Sequence, residues 1–155
     1  MLDHLIAIAF DWAVRSFKIE QMNNPGTRAL RVGEESTELM QACEVPRETA
    51  HLMIDRVYDR AVGEVPQEIG GVLMTIFLFV AGLGHRYGSN DPIHYFVKEL
   101  RRVLAKPPKH FADRNAEKIA LGLDVQVTNL NEVKRTEQEA IRDFDEALAV
   151  GKGDH

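Results

Sequence analysis

The sequence has a single cysteine and fewer basic than acidic residues. Its single cysteine, Cys43, cannot form an internal disulfide. We therefore expect a protein of a reducing compartment, with this thiol as a small buried side chain late in a helix. Lysine and arginine number 19 against 24 aspartates and glutamates, which gives a net charge of -5. This balance argues against a general nucleic-acid binder, which presents a basic surface, but leaves nucleotide enzymes open.

Long hydrophobic runs and targeting signals are also lacking. The longest apolar run, residues 72–83, is interrupted by Thr75 and Gly82, and it is shorter than the ~20 residues of a membrane span. Residues 1–4 show none of the basic character that opens a signal peptide. We therefore expect a cytoplasmic protein in which the apolar run forms the central helix of a bundle or of a subunit interface.

What the sequence does contain is helical patterning, which predicts an all-α fold. Thr27, Pro66 and the pair Asp91-Pro92 mark helix starts, and Gly122 is a stop signal. No convincing strand alternation or internal repeat is present, and 155 residues fit one domain. The predicted helices cover residues 2–18, 28–44, 47–58, 66–85, 92–104, 109–121 and 131–150.

Three glutamates on the second predicted helix give the first chemical signal. At 100° per residue, Glu34 and Glu38 lie about 40° apart, and Glu35 lies about 60° further round. Two unit charges ~5 Å apart repel by roughly 3 kcal/mol at an effective dielectric constant of ~20. Either this face lies in open water or a cation sits on it, and Mg²⁺ or Mn²⁺ is suited to carboxylate oxygens.

A fourth glutamate, Glu68, lies on the first turn of the apolar helix. It could simply favour the positive end of the helix dipole. Alternatively, it lies opposite the cluster of Glu34, Glu35 and Glu38 and completes a metal site built from two neighbouring helices. The pair Gly70-Gly71 favours the second interpretation, because two glycines cost helix propensity and permit close approach to the backbone.

The motif Arg31-x-x-Glu34-Glu35-x-x-Glu38, followed by Glu68 on an apolar helix, resembles the MazG-like all-α nucleoside triphosphate pyrophosphatases. That superfamily also includes the dimeric dUTPases and the phosphoribosyl-ATP pyrophosphatases of histidine biosynthesis. Residues 57–72 and 102–115 look like a subgroup found in phages and actinobacteria. The resemblance covers about residues 1–124, so we expect a helical catalytic domain there and a C-terminal helical extension at 125–155.

The resemblance implies hydrolysis of a nucleoside triphosphate between its α- and β-phosphates, releasing a monophosphate and pyrophosphate. It implies Mg²⁺ or Mn²⁺ as cofactor, with Glu35, Glu38 and Glu68 as ligands and Glu34 as a fourth ligand or general base. It also implies a homodimer or homotetramer in a bacterial or phage-infected cytoplasm. One set of phage members removes dATP and dGTP, or supplies dGMP, for 2-aminoadenine DNA. A purine deoxynucleotide is therefore the expected substrate, although removal of damaged nucleotides fits the same residues.

One position departs from the family pattern. The final aspartate of the family motif falls on Gly71, which has no ligand atom. Three explanations stay open at this point. The subgroup uses fewer protein ligands, another acid such as Asp55, Asp59 or Glu64 substitutes, or the site is degenerate.

Phosphate and base contacts are assigned by residue chemistry and helical spacing. The basic face of the sixth predicted helix would hold phosphate, although a solvated surface would show the same pattern. Arg28 and Arg31 flank the carboxylates and are expected to pair with them. Trp12 is a packed residue or a base-stacking one, with two polar candidates for the base edge. The phosphate-binding candidates are His110, Arg114, Asn115 and Lys118, and the base-binding candidates are Trp12, Asp11 and Gln67.

Two other interpretations of the sequence compete with a nucleotide pyrophosphatase. A ferritin-like di-iron site needs two Glu-x-x-His pairs, and the sequence supplies only Glu48-x-x-His51. A non-enzymatic helical oligomerisation or regulatory protein with a degenerate metal site is the second alternative, and Gly71 is compatible with it.

Overall fold

The computed structural model describes residues 2–17 and 19–125, and every regular element in them is helical. The all-α prediction is therefore confirmed for this part of the chain. The predicted helix at 131–150 and the extension at 125–155 lie outside the described residues, apart from Val125 itself. The helices are α1 Leu2–Ser16, α2 Ile19–Met22, α3 Pro25–Ala42, α4 Arg47–Tyr58, α5 Val65–Leu83, α6 Pro92–Leu104 and α7 Pro108–Ala120, with a 3₁₀ turn at Gly84–Arg86.

The start of α3 differs from the prediction. The Oδ1 of Asn24 accepts a hydrogen bond from the backbone N–H of Thr27 at 3.2 Å, so Asn24 caps the helix and Pro25 is its first residue. Proline suits that position because its fixed φ is already helical and no N–H is lost. Thr27, predicted as the cap, is instead a buried residue inside the first turn. The cap at Asp91 is confirmed, since its Oδ1 accepts from the N–H of Ile93 at 2.9 Å.

Two helices end in the same backbone arrangement. After α7, the N–H of Gly122 donates to Ile119 O at 2.9 Å and that of Leu123 to Lys118 O at 3.0 Å. Gly122 has φ +75°, the left-handed conformation that this ending requires. After α3 the same pair of hydrogen bonds forms, but the left-handed residue is Glu44, with φ 60°.

The described chain divides into two compact units. The first contains residues up to Gly33 and from Leu100 onward, and the second contains Glu34–Glu99. The division falls inside α3 and α6 rather than at the predicted boundary after residue 124. That boundary lies at the edge of the described residues and stays a prediction.

The first unit is held together by packing of α1 against α7 and α2. Its core consists of three buried residues from α6 and α7, against which the apolar side chains of α1 pack. Trp12 belongs to this core: its ring meets those of Phe111 and Phe17 edge-on, at centroid distances of 4.9 and 5.7 Å. The core residues are Leu100, Val103 and Phe111, with Leu5, Ile8, Ala9, Trp12 and Phe17 packed on them.

Polar contacts tie the segment after α7 to the start of α3. The hydroxyl of buried Thr27 donates to the carboxylate of Asp124. The side-chain amide of Asn24 donates to Val125 O at 2.8 Å, and Arg31 Nη2 donates to Leu123 O at 3.0 Å. These contacts anchor residues 123–125 beside the first two turns of α3.

Arg28 is held in the same region. Its guanidinium lies 5.6 Å from the Phe17 ring centroid and donates to Met22 Sδ at 3.4 Å. Burial lowers the pKa of Arg28, and Arg31 lowers it further, while Asp124 acts in the opposite direction. Arg28 makes no ion pair with the predicted site glutamates in the described chain, so the expectation that it pairs with them is wrong.

The second unit exposes most of its apolar side chains. Within this unit α3, α4 and α5 do not pack along one another, and Val80 is the buried residue of α5. The sequence predicted α5 as a central, nearly buried helix, and this single chain does not show that burial. Cys43 is likewise exposed, so the prediction of a buried thiol is wrong. Residues Val65–Arg86 are long and apolar enough to cross a membrane, by length and composition alone.

The segment that follows α5 is held by hydrogen bonds to the hydroxyl of Tyr95. The hydroxyl of Tyr95 lies 2.9 Å from Gly84 O and 2.8 Å from Ser89 O, and it accepts from the N–H of Ser89 at 3.1 Å. A β-carbon at Gly84 would overlap with Ser89 O, so the close approach requires glycine.

Candidate functional site

The glutamates of α3 lie on the part of the helix that belongs to the second unit. Glu34 is half-buried, whereas Glu35 and Glu38 are exposed. Glu34 and Glu35 interact with other groups of the chain. Glu38 has no hydrogen bond or ion pair among residues 2–17 and 19–125. Its carboxylate is therefore open to water and available to a cation.

Glu68 lies in the first turn of α5, in the same unit. It is exposed and makes no side-chain hydrogen bond or ion pair within the described ranges. Its carboxylate bends back over Gly63 in the loop before the helix. A β-carbon built on Gly63 would overlap with Glu68 Oε1 and lie 3.1 Å from Cδ.

The four glutamates do not form a metal site within one described chain. No three Asp, Glu, His or Cys side chains of the described residues are placed to hold one ion. The chemistry of the donors fits Mg²⁺ or Mn²⁺, since all are carboxylates. Their arrangement in a single chain does not, because α3 and α5 lack the packing that would bring Glu68 to the glutamates of α3.

Position 71, where the family that the motif resembles has an aspartate, is open in this structure. A β-carbon on Gly71 would have no atom within 4 Å, so the space exists for a side chain there. The three acids considered as substitutes, Asp55, Asp59 and Glu64, are all exposed and lie near the end of α4 and in the following loop. None of them forms part of a three-ligand group in the described chain.

The phosphate-binding candidates on α7 differ in burial and in whether their side chains are already bonded within the chain. Asn115 is buried and its side-chain amide donates to Gln21 Oε1, so the amide is engaged within the first unit. His110 is half-buried, with its ring edge-on to Phe111 and Nε2 3.5 Å from Lys106 Nζ. Arg114 is exposed, and no described residue bonds or pairs with it. Lys118 is half-buried and interacts with another group.

The base-binding candidates are held in different ways. Trp12 packs edge-on with the rings of Phe17 and Phe111, which supports the packed interpretation of this residue. Its indole Nε1 is buried and has no hydrogen-bond partner among the described residues. Asp11 pairs with Arg15 at 2.9 Å on the exposed side of α1. Gln67 is exposed beside Glu68 in the second unit.

The di-iron alternative gains no support from the structure. Glu48 and His51 are exposed on α4, and they belong to no three-ligand group in the described ranges.

The close approach of the Glu68 carboxylate to Gly63 is not predicted by the sequence analysis. The only signal was the place of Gly63 in a polar loop shortly before Glu68, which does not by itself predict contact.

Comparison of the chain with protein-family models, with curated proteins and with solved structures gives no match. The resemblance to MazG-like pyrophosphatases therefore rests on the motif residues alone.

Proposed function

We propose that the protein is a metal-dependent nucleoside triphosphate pyrophosphohydrolase. It converts a (deoxy)nucleoside triphosphate to the monophosphate and pyrophosphate, with purine deoxynucleotides such as dGTP and dATP as the expected substrates. The observation that carries the proposal is the set of acids Glu34, Glu35 and Glu38 on one side of α3, with Glu38 exposed and unpaired in the described chain. Like charges crowded in this way favour a bound cation.

The proposal requires α3 and α5 to pack in the assembled protein. The apolar surface of α5 gives the reason for such packing, because side chains such as Met74 and Leu78 are 60% and 64% exposed in the single chain. Burial of large apolar side chains stabilises by about 1.5–3 kcal/mol each. A homodimer or homotetramer would bury this surface and bring Glu68 to the glutamates of α3.

Metal ions held by these carboxylates would neutralise charge on the triphosphate and lower the pKa of a bound water. The residues of the chain supply the holding groups: Glu35, Glu38 and Glu68 as ligands, and Glu34 as a further ligand or as the base that orients water. Arg114 is the phosphate-binding candidate with the freest side chain. The assignments of His110, Asn115 and Lys118 to phosphate, and of Trp12, Asp11 and Gln67 to the base, remain predictions.

The test is a panel of all canonical NTPs and dNTPs with Mg²⁺ or Mn²⁺, followed by measurement of monophosphate and pyrophosphate. We expect release of pyrophosphate, highest with dGTP or dATP. Glu38→Ala should abolish it without changing helicity, because an exposed carboxylate contributes little to folding. Glu117→Ala, which removes an exposed glutamate of α7, is the matched control and should keep full activity. Normal turnover by Glu38→Ala would show that the site is assigned wrongly.

A second candidate function is a non-enzymatic helical oligomerisation or regulatory protein. The exposed apolar side chains of α4 and α5 favour it, as does the absence of a three-ligand group in residues 2–17 and 19–125. Thermal unfolding with added Mn²⁺ distinguishes the two candidates. A metal site stabilises the fold by mass action, whereas a scaffold with a degenerate site does not respond.

A further inference from the structure

Gly63 differs from the glycines of the helices in what surrounds it. A β-carbon on Gly33, Gly70, Gly71 or Gly82 would have no atom within 4 Å. On Gly63 it would overlap with Glu68 Oε1 and crowd Cδ and Cγ, at 3.1 and 3.4 Å. The space above this glycine is thus occupied by the carboxylate of a proposed metal ligand.

The backbone of Gly63 does not itself demand glycine. The glycines with left-handed φ in the described ranges are Gly88 and Gly122. A side chain at position 63 therefore adds no backbone strain of that kind. The atoms in its way are the far end of a flexible side chain, which can move. Substitution at Gly63 should displace the carboxylate of Glu68 and leave the loop and α5 intact.

We infer that Gly63 is a positioning residue for Glu68. By lacking a side chain, it leaves the space in which the Glu68 carboxylate lies over the loop at the start of α5. This inference rests on the proposed function, because it takes that position as the one from which Glu68 binds a divalent ion. Ligands must be held within about 0.5 Å of their working geometry, so a methyl group in this space should weaken the site.

The experiment compares Gly63→Ala with Val62→Ala in the full chain. Val62 is 99% exposed in the same loop, so its truncation controls for changes in the loop itself. Pyrophosphate release is measured across a Mn²⁺ titration, and the Mn²⁺-induced rise in the thermal midpoint is measured in parallel. For Gly63→Ala we expect at least a tenfold higher Mn²⁺ concentration at half-maximal rate and a reduced thermal response to metal. The midpoint without metal should be no lower than that of the wild type, because alanine lowers the entropy of the unfolded chain. Val62→Ala should match the wild type.

A Glu68→Ala background makes the assignment specific. Once the carboxylate is gone, adding Gly63→Ala should not change the metal response further, since coupled residues show non-additive effects. An active wild type with an unaltered Gly63→Ala titration would overturn the positioning role and leave the proposed function standing. A wild type that neither binds Mn²⁺ nor releases pyrophosphate would remove the proposed function, and this inference with it.

Discussion

At the scale of single residues, Glu44 shows how backbone geometry and side-chain choice can disagree. It adopts φ 60° at the end of α3, where Gly122 occupies the equivalent position after α7. A side chain in this left-handed conformation costs about 1 kcal/mol, a cost that glycine avoids. Nothing in the sequence predicts this conformation, because glutamate is an ordinary helix residue and the predicted helix includes position 44.

Glu44→Gly should therefore raise the free energy of unfolding by about 1 kcal/mol or somewhat less, since glycine also gains entropy in the unfolded chain. Urea unfolding followed by circular dichroism measures the change. Glu44→Ala is the matched control, because it removes the same carboxylate but keeps the β-carbon and should bring no such gain. Equal midpoints for the two variants would show that the left-handed conformation is not the source of the difference.

The sequence predicted the placement of some candidate site residues but not of others. The spacing of Glu34, Glu35 and Glu38 places them on one side of a helix, and α3 is a helix there. Spacing also placed Asn115 with the basic residues of α7. The structure instead puts it among the buried residues, bonded to Gln21. Asn115 lies four residues after the buried Phe111, only about 40° round the helix, and therefore shares its buried side.

At the scale of helices, proline, glycine and capping residues predicted most of the boundaries. Helix α4 begins and ends where expected, and α5, α6 and α7 differ from the predicted bounds by a few residues at most. The short helix α2 was missed because four residues are too few for an apolar period to be recognised. The start of α3 differs because the prediction takes Thr27 as the cap, although the pair Asn24-Pro25 is also a helix-start signal.

The apolar surface of α4 and α5 leads to a prediction about assembly. Large apolar side chains on both helices, such as Leu52, Met74 and Leu78, are 60–69% exposed, and apolar surface left open in this way marks sites of association. Light scattering after gel filtration should give a mass that is a multiple of 17.5 kDa. Leu78→Glu should shift it toward the single-chain value by placing a charge in the apolar interface.

Leu121→Glu is the control for this variant, because Leu121 is 75% exposed but lies in the first unit. It should keep the mass of the wild type. A wild type that is monomeric in solution would contradict the assembly proposal. Partition of the wild type into lipid vesicles would contradict it too, by assigning the apolar residues Val65–Arg86 to a membrane.

At the scale of the whole molecule, the fold class followed from the sequence but the assembly of the site did not. The apolar period and the proline, glycine and capping residues predict each helix by itself. Whether α3 and α5 pack depends on tertiary or intersubunit contacts, which no local pattern contains. The four glutamates lie in one unit, Glu34–Glu99, yet a single described chain does not gather three of them. A metal site built from both helices therefore requires an association that brings α3 and α5 together.

The most direct measurement is a titration of the protein with Mn²⁺, in which electron paramagnetic resonance detects the free ion. We compare the wild type with Glu38→Ala on α3 and with Glu68→Ala on α5, at protein concentrations where the wild type is oligomeric. We expect saturable binding by the wild type and at least a tenfold loss of affinity in each variant, because both helices supply ligands to one site. Binding that is unchanged in Glu68→Ala, or absent from the wild type, would contradict this expectation.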